Sequence, residues 1–202
     1  MSHLDLMATV RRGLLRAGMD LRYSEGYNPH PYMSIALPLP VGVGSVCELM
    51  DIGMSSNYSP PGNLSEQLTA VMPEGIEILD VYSPDRKFAD IAWIEISGRL
   101  LYDSPISNAS EKLAERFSEE SIIIAKKTKR GVSDVDIAPF FCDISFQGNG
   151  EISANAKISA QNPSINPGNL MSALCGEYAE LAPDFSEFTR VEFYDAEMTV
   201  FK

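Results

Sequence analysis

Gly148-Asn149-Gly150 lies between two runs that alternate with the β period, and no other stretch constrains the fold as tightly. In the second run Ile152, Ala154, Ala156, Ile158 and Ala160 alternate with Glu151, Ser153, Asn155, Lys157 and Ser159. Successive side chains of a strand point to opposite faces, so this run buries one face and wets the other. Asp136 to Gln147 and Glu151 to Ala160 are therefore expected to form an antiparallel hairpin. The remaining signals of the second half fit around it. Ile91 to Tyr102 reads as an apolar strand holding the only Trp, Asn108 with Glu111 opens a helix through Phe117, and Ile122 to Ala125 opens another strand. Pro167 suits the first turn of a helix reaching Ala179, and Phe188 to Phe201 closes the chain as a strand or bent pair. Strand, helix, strands, helix, strand is the βαββαβ order of a ferredoxin-like unit.

The first half shows that order without its opening strand. Ser2 and Asp5 form an S-x-x-D capping box before Leu4, Met7, Val10, Leu14 and Ala17, which predicts a helix over Ser2 to Ala17 ended by Gly18. Leu21 to Ser24, Tyr32 to Leu37 and Val46 to Met54 are extended candidates. Asn63 and Glu66 mark a second helix, and Ile76 to Tyr82 reads as a strand. The polar stretch SPDRKFAD, residues 83 to 90, separates 1–84 from 90–202. The expected fold is α+β, two tandem ferredoxin-like (βαββαβ) halves, the first lacking its N-terminal strand. That strand is central in such a sheet. Either the chain starts inside the true gene, which Met1 directly before a capped helix favours, or another strand or protomer fills the gap.

Composition narrows the function. The chain is 45% apolar and 22% charged, so it has the makings of a globular core. No apolar run approaches the ~18 residues of a membrane span, and MSHLDLMATVRR lacks the pattern of a signal peptide, so the expected compartment is the cytoplasm. Cys47, Cys142 and Cys175 show no CxxC pairing and read as reduced structural thiols. A net charge of -12 argues against bulk, sequence-independent nucleic-acid binding. It leaves room for a local basic patch, because up to Val46 four arginines face three acidic residues.

The chain has no CxxxCxxC triplet for an iron–sulfur cluster, and no GxxxxGK[ST], HExxH or GxSxG motif. No cofactor and no metal is expected. Leu21 to Asp51 instead carries Pro29, Pro31, Pro38 and Pro40 among glycines and apolar residues, a stiff surface path rather than a loose link. Within Asn28-Pro29-His30-Pro31 the backbone on both sides of His30 is restricted, which suits ligand positioning, proton transfer or a structural bond to a carbonyl. Tyr23, Tyr27 and Tyr32 flank this loop, and Arg11, Arg12, Arg16 and Arg22 supply cations; single-stranded RNA is recognised by that mixture. The same residues also fit core tyrosines and a solvated helix face. The candidate contact surface is Arg12, Arg16, Tyr27, Asn28 and His30, with Lys126, Lys127, Lys129 and Arg130 as a second basic patch. No catalytic residue is assigned; His30 and His3 enter only as acid or base if the chain is an enzyme.

The strings Ser2-His3-Leu4-Asp5-Leu6-Met7, Tyr23-Ser24-Glu25-Gly26-Tyr27-Asn28-Pro29-His30-Pro31 and Ala36-Leu37-Pro38-Leu39-Pro40-Val41-Gly42, with Asp51, resemble an uncharacterised bacterial family, the radical-SAM-linked proteins. Lys126 to Gly131 and Val135-Asp136-Ile137 extend the resemblance more weakly. Members of that family are fused to, or encoded beside, a cobalamin-binding-type radical SAM protein, often near a ribonuclease of the E/G type, and usually carry an apolar strand before SHLD. This chain has neither that strand nor a radical SAM region. The resemblance implies a stand-alone accessory or substrate-binding protein that partners a radical SAM enzyme in tRNA or rRNA modification. Two other readings stay open: a metal-independent endoribonuclease of the CRISPR RNA-processing type, and a purely structural subunit without RNA contact.

Overall fold

The computed structural model describes residues 2–55, 59, 61–128 and 131–202. The fold is α+β and divides into two compact units, residues 1–41 with 48–86 and residues 42–47 with 87–202. The chain runs through α1 (His3–Arg16), β1 (Met33–Ile35), β2 (Val43–Ser45), β3 (Met50–Ile52) and α2 (Leu64–Val71). It continues through β4 (Trp93–Leu101), α3 (Ala109–Phe117), β5 (Ile123–Thr128), β6 (Gly131–Asp136), β7 (Phe141–Asn149), β8 (Glu151–Ser159), α4 (Pro167–Ser172) and β9 (Phe185–Tyr194). Residues 42–47 precede the sequence division at residues 84 to 90 and belong to the second unit.

The second unit is built on the sheet β2-β9-β4-β8-β7. Its last four strands stand in the order fourth, first, third, second of a βαββαβ unit, with every pairing among them antiparallel. Alternation puts Ile152, Ala154, Ala156 and Ile158 of β8 in the core with Ile94, Ile96 and Leu100 of β4. Leu113 and Phe117 of α3 and Leu170 of α4 are buried as well. Burying one such leucine or isoleucine stabilises the unit by about 1.5–3 kcal/mol. Gly98 is required in β4, because a Cβ there would lie 2.4 Å from the Phe188 ring of β9. The expected hairpin turns at Gly148 to Gly150, but its first arm starts at Phe141, after a 3-10 turn over Ala138–Phe140. Asp136 instead ends β6, which pairs with β5 as a separate two-stranded sheet. The expected helix to Ala179 stops at Ser172, and a 3-10 turn occupies Gly176–Leu181. The closing strand ends at Tyr194, which a tight turn brings back to bridge Val200.

The first unit has the expected helices and less of the expected sheet. Ser2 caps α1 through the full capping box, its Oγ accepting from Asp5 N at 3.2 Å and donating to Asp5 Oδ2 at 2.6 Å. Val10, Leu14, Leu21, Leu64 and Leu68 form the core, with Met33, Met50, Ile52 and Met54 packed against them. The ribbon β1–β3 is antiparallel, with Ser34 opposite Asp51. Leu21 to Ser24 supplies only the isolated bridges Leu21–Met54 and Tyr23–Pro31, and the strand expected over Val46 to Met54 shrinks to β3. Val43–Ser45 pairs instead as β2, parallel to β9 of the second unit. Ile76 to Tyr82 is not a strand. The cause is the missing partner: in the second unit the fourth strand β9 lies along the first strand β4, whereas among the described residues of the first unit nothing pairs with the far edge of β3. Ile78 is anchored, its N donating to Thr69 Oγ1 at 2.9 Å while its side chain packs on the core. Among the described residues no helix is long and apolar enough to cross a membrane.

Candidate functional site

The NPHP loop is the tip of a closed turn. The Tyr23–Pro31 bridge pinches its base, and Ser24 N donates to His30 O at 2.8 Å. Ser24 Oγ accepts from His30 N at 3.1 Å and lies 3.0 Å from His30 Nδ1, which is also 3.4 Å from Asn28 O. One hydroxyl therefore fixes both the backbone and the ring of His30. The prolines make this inexpensive, because the flanking backbone has little freedom left to lose. On that braced loop Tyr27 is 98% exposed, and Asn28 and His30 are exposed beside it.

The other candidate residues are dispersed. Arg11 and Arg12 are exposed on α1. Arg16 is exposed as well, but its Nη2 donates to Val71 O at the C-terminal end of α2, a favourable place for a cation. Among the described residues no hydrogen bond, ion pair or ring contact joins Arg12 or Arg16 to Tyr27, Asn28 or His30. Asp5, on the arginine side of α1, is committed to its cap, and the Ser2 hydroxyl holds its carboxyl below the usual range. His3 is exposed in the first turn of α1. In the second patch Lys126 Nζ donates to Ser164 O at 2.6 Å, Lys127 lies in β5, and Lys129 and Arg130 fall outside the described residues. Among the described residues no group of three or more His, Cys, Asp or Glu is placed to hold a metal ion.

One arrangement escaped the sequence reading. Met33, Met50 and Ile52 face the helices, so the residues that alternate with them face away. On that outer face the Arg22 guanidinium lies over the Tyr32 ring, 4.5 Å from its centroid, and Ser34 and Asp51 sit as direct cross-strand partners. Gly53 donates its N–H to Tyr32 O at 2.7 Å. A Cβ on Gly53 would be 2.8 Å from Tyr32 Cβ and 3.5 Å from Arg22 Nε, so the glycine makes room for the stacked pair. Tyr32 keeps 44% of its surface exposed. Partial burial pushes the Asp51 carboxyl above the usual range. The period-2 spacing of Tyr32 and Ser34, and of Asp51 and Gly53, was the available signal.

The model of a bacterial family described as uncharacterized protein conserved in bacteria, DUF2344, matches residues 1–167. The chain belongs to this family. The match takes in the whole first unit and the second as far as the start of α4. No curated protein and no solved structure matches the chain.

Proposed function

We propose that this DUF2344 protein is a non-catalytic, RNA-binding accessory module that presents tRNA or rRNA to a separate radical SAM enzyme in the cytoplasm. The observation that carries the binding reading is Tyr27, held 98% exposed at the tip of a loop that Ser24, His30 and two prolines make rigid. A large aromatic kept in water on a stiff loop gains nothing for the fold, and it offers a stacking plane at little entropic cost. Tyr23, at 42% exposure, and the exposed Arg11 and Arg12 belong to the same unit. The radical SAM partner rests on the resemblance of the SHLD and EGYNPHP strings.

A gel-shift titration with total tRNA and with rRNA fragments, in chelator, tests the reading with and without the partner enzyme. Binding without cleavage is expected. Tyr27→Ala should weaken it by about 5- to 150-fold, the range of one lost base–aromatic stack. A chain of net charge -12 binds through few phosphates, so log K against log salt should have a shallow slope, about -2 for three arginine contacts to a single strand. No binding in either setting contradicts the proposal. Cleavage that His30→Ala abolishes would make the protein an endoribonuclease, and copurification with protein alone would make it a structural subunit.

A further inference from the structure

We propose that the ribbon face turned away from the helices of the first unit holds an unpaired guanine of single-stranded RNA, stacked on Tyr32 and read by Asp51. The inference rests on the RNA-binding reading and gives it a base and a location. Stacking comes first. Arg22 covers one side of the Tyr32 ring at 4.5 Å, and 44% of the residue remains exposed. A guanidinium on a phenol ring extends the flat surface available to a base and brings a cation near its phosphate. Gly53, opposite Tyr32, lets the pair lie flat on the ribbon, since a Cβ there would crowd Tyr32 Cβ at 2.8 Å and Arg22 Nε at 3.5 Å.

Base identity follows from the neighbours on the same face. Asp51 is the direct partner of Ser34, which is two residues on from Tyr32. Diagonal neighbours of this kind lie about 7–8 Å apart, a distance that a purine stacked on the tyrosine spans with its edge. An ionised carboxylate only accepts hydrogen bonds. Guanine alone among the four bases presents two adjacent donors on its Watson–Crick edge, N1–H and the N2 amino group, to match the two carboxylate oxygens. Adenine and cytosine each set a ring-nitrogen acceptor beside their amino group, and uracil flanks its single N–H with two carbonyl oxygens, so each would face the carboxylate with a repelling lone pair. The Ser34 hydroxyl, opposite Asp51, is placed to donate to guanine O6. A base paired in a duplex has this edge occupied, so the site selects unpaired RNA.

Fluorescence anisotropy at fixed salt tests this with labelled RNA hexamers of uridine carrying one central G, A or inosine. The wild-type chain should bind the G hexamer about ten-fold more tightly than the A hexamer, with inosine, which lacks the amino group, between them. Asp51→Asn should bring G and A to equal affinity, and Tyr32→Ala should weaken every hexamer. Tyr27→Ala should weaken all of them and keep the preference for G. Equal affinity for G and A in the wild type, or a preference that survives Asp51→Asn, overturns the guanine site. If Tyr27→Ala still weakens binding in that case, the RNA-binding reading stands without it. Failure of every hexamer to bind overturns both.

Discussion

Each unit sets a pair of antiparallel strands between two helices, β1 and β3 in the first and β7 and β8 in the second, and the units differ in the strands around that pair. In the second unit β4 is hydrogen-bonded along its whole length to β8 on one edge and β9 on the other. Among the described residues of the first unit β3 is paired on one edge only, by the three residues of β1. The difference shows how much of a strand is conferred by its neighbour. Phe185–Tyr194 pairs along β4 with Val191 alone passed over at a bulge, while Ile76 to Tyr82, apolar and in the corresponding place in the order, has no ladder and leaves Leu79 68% exposed. A complete sheet yields a scaffold; a short ribbon leaves side chains such as Tyr32, Ser34 and Asp51 accessible on its outer face.

Core truncations should separate the units most strongly. Ile152→Ala removes a fully buried side chain beneath the complete sheet and should cost about 2–5 kcal/mol. Trp93, the only tryptophan, lies in β4, so its fluorescence reports unfolding of the second unit. The Trp93 transition should move to markedly lower denaturant in Ile152→Ala. Leu14→Ala, of similar size in the first unit, should lower the circular-dichroism midpoint of the helices and leave the Trp93 transition in place. Equal movement of the Trp93 transition in both variants would show one cooperative unit and break the comparison.

Two aspartates sharpen it with opposite signs. Asp136 ends β6, and its carboxylate accepts from Ile122 N, from the Ser121 hydroxyl and from Ala138 N, which lower its pKa. Its stabilisation is present above the unfolded pKa and is lost as pH falls through the folded one, so Asp136→Asn should destabilise the second unit at neutral pH and have little effect in strong acid. Asp51 behaves in the reverse sense, because burial raises its pKa. Stability that is present below the unfolded pKa is lost as pH rises through the folded value. Asp51→Asn should therefore raise the midpoint of the first unit at neutral pH, with no gain in acid, while removing the preference for guanine. The smallest effect is expected for Ser2→Ala, which removes the capping box of α1 and should cost the first unit about 1 kcal/mol by circular dichroism.

What the sequence revealed follows the range of each signal. The Ser2–Asp5 box and the Gly148-Asn149-Gly150 turn are complete within a few residues, and both form as read. The alternation of β8 predicts its buried face as far as Ile158, while Ser159, expected on the wet face, is buried with its hydroxyl donating to Gln161 O. Val43–Ser45 carries no such signal: three residues pair with a strand more than 140 positions later, and only Gly44, whose Cβ would sit 3.2 Å from Thr189 Oγ1, hints at a close approach. Ile76 to Tyr82 misled for the converse reason, since a strand pattern states a capacity to pair and not the presence of a partner. The Arg22–Tyr32 stack joins residues across the NPHP turn, and Asp51 reaches their face only through the β1–β3 register. Composition located the tyrosines and arginines; pairing decides which of them meet.

On the proposed function, the second unit is scaffold and RNA binding belongs to the outer face of the first unit. Amide chemical-shift mapping of the full chain, titrated with the uridine hexamer carrying one central G, tests this most directly. The account predicts shifts concentrated at Arg22, Tyr27, Tyr32, Ser34 and Asp51, with the amides of β4 and β8 unmoved. Shifts confined to the β5–β6 sheet around Lys126, with Tyr32 and Asp51 unmoved, would contradict it.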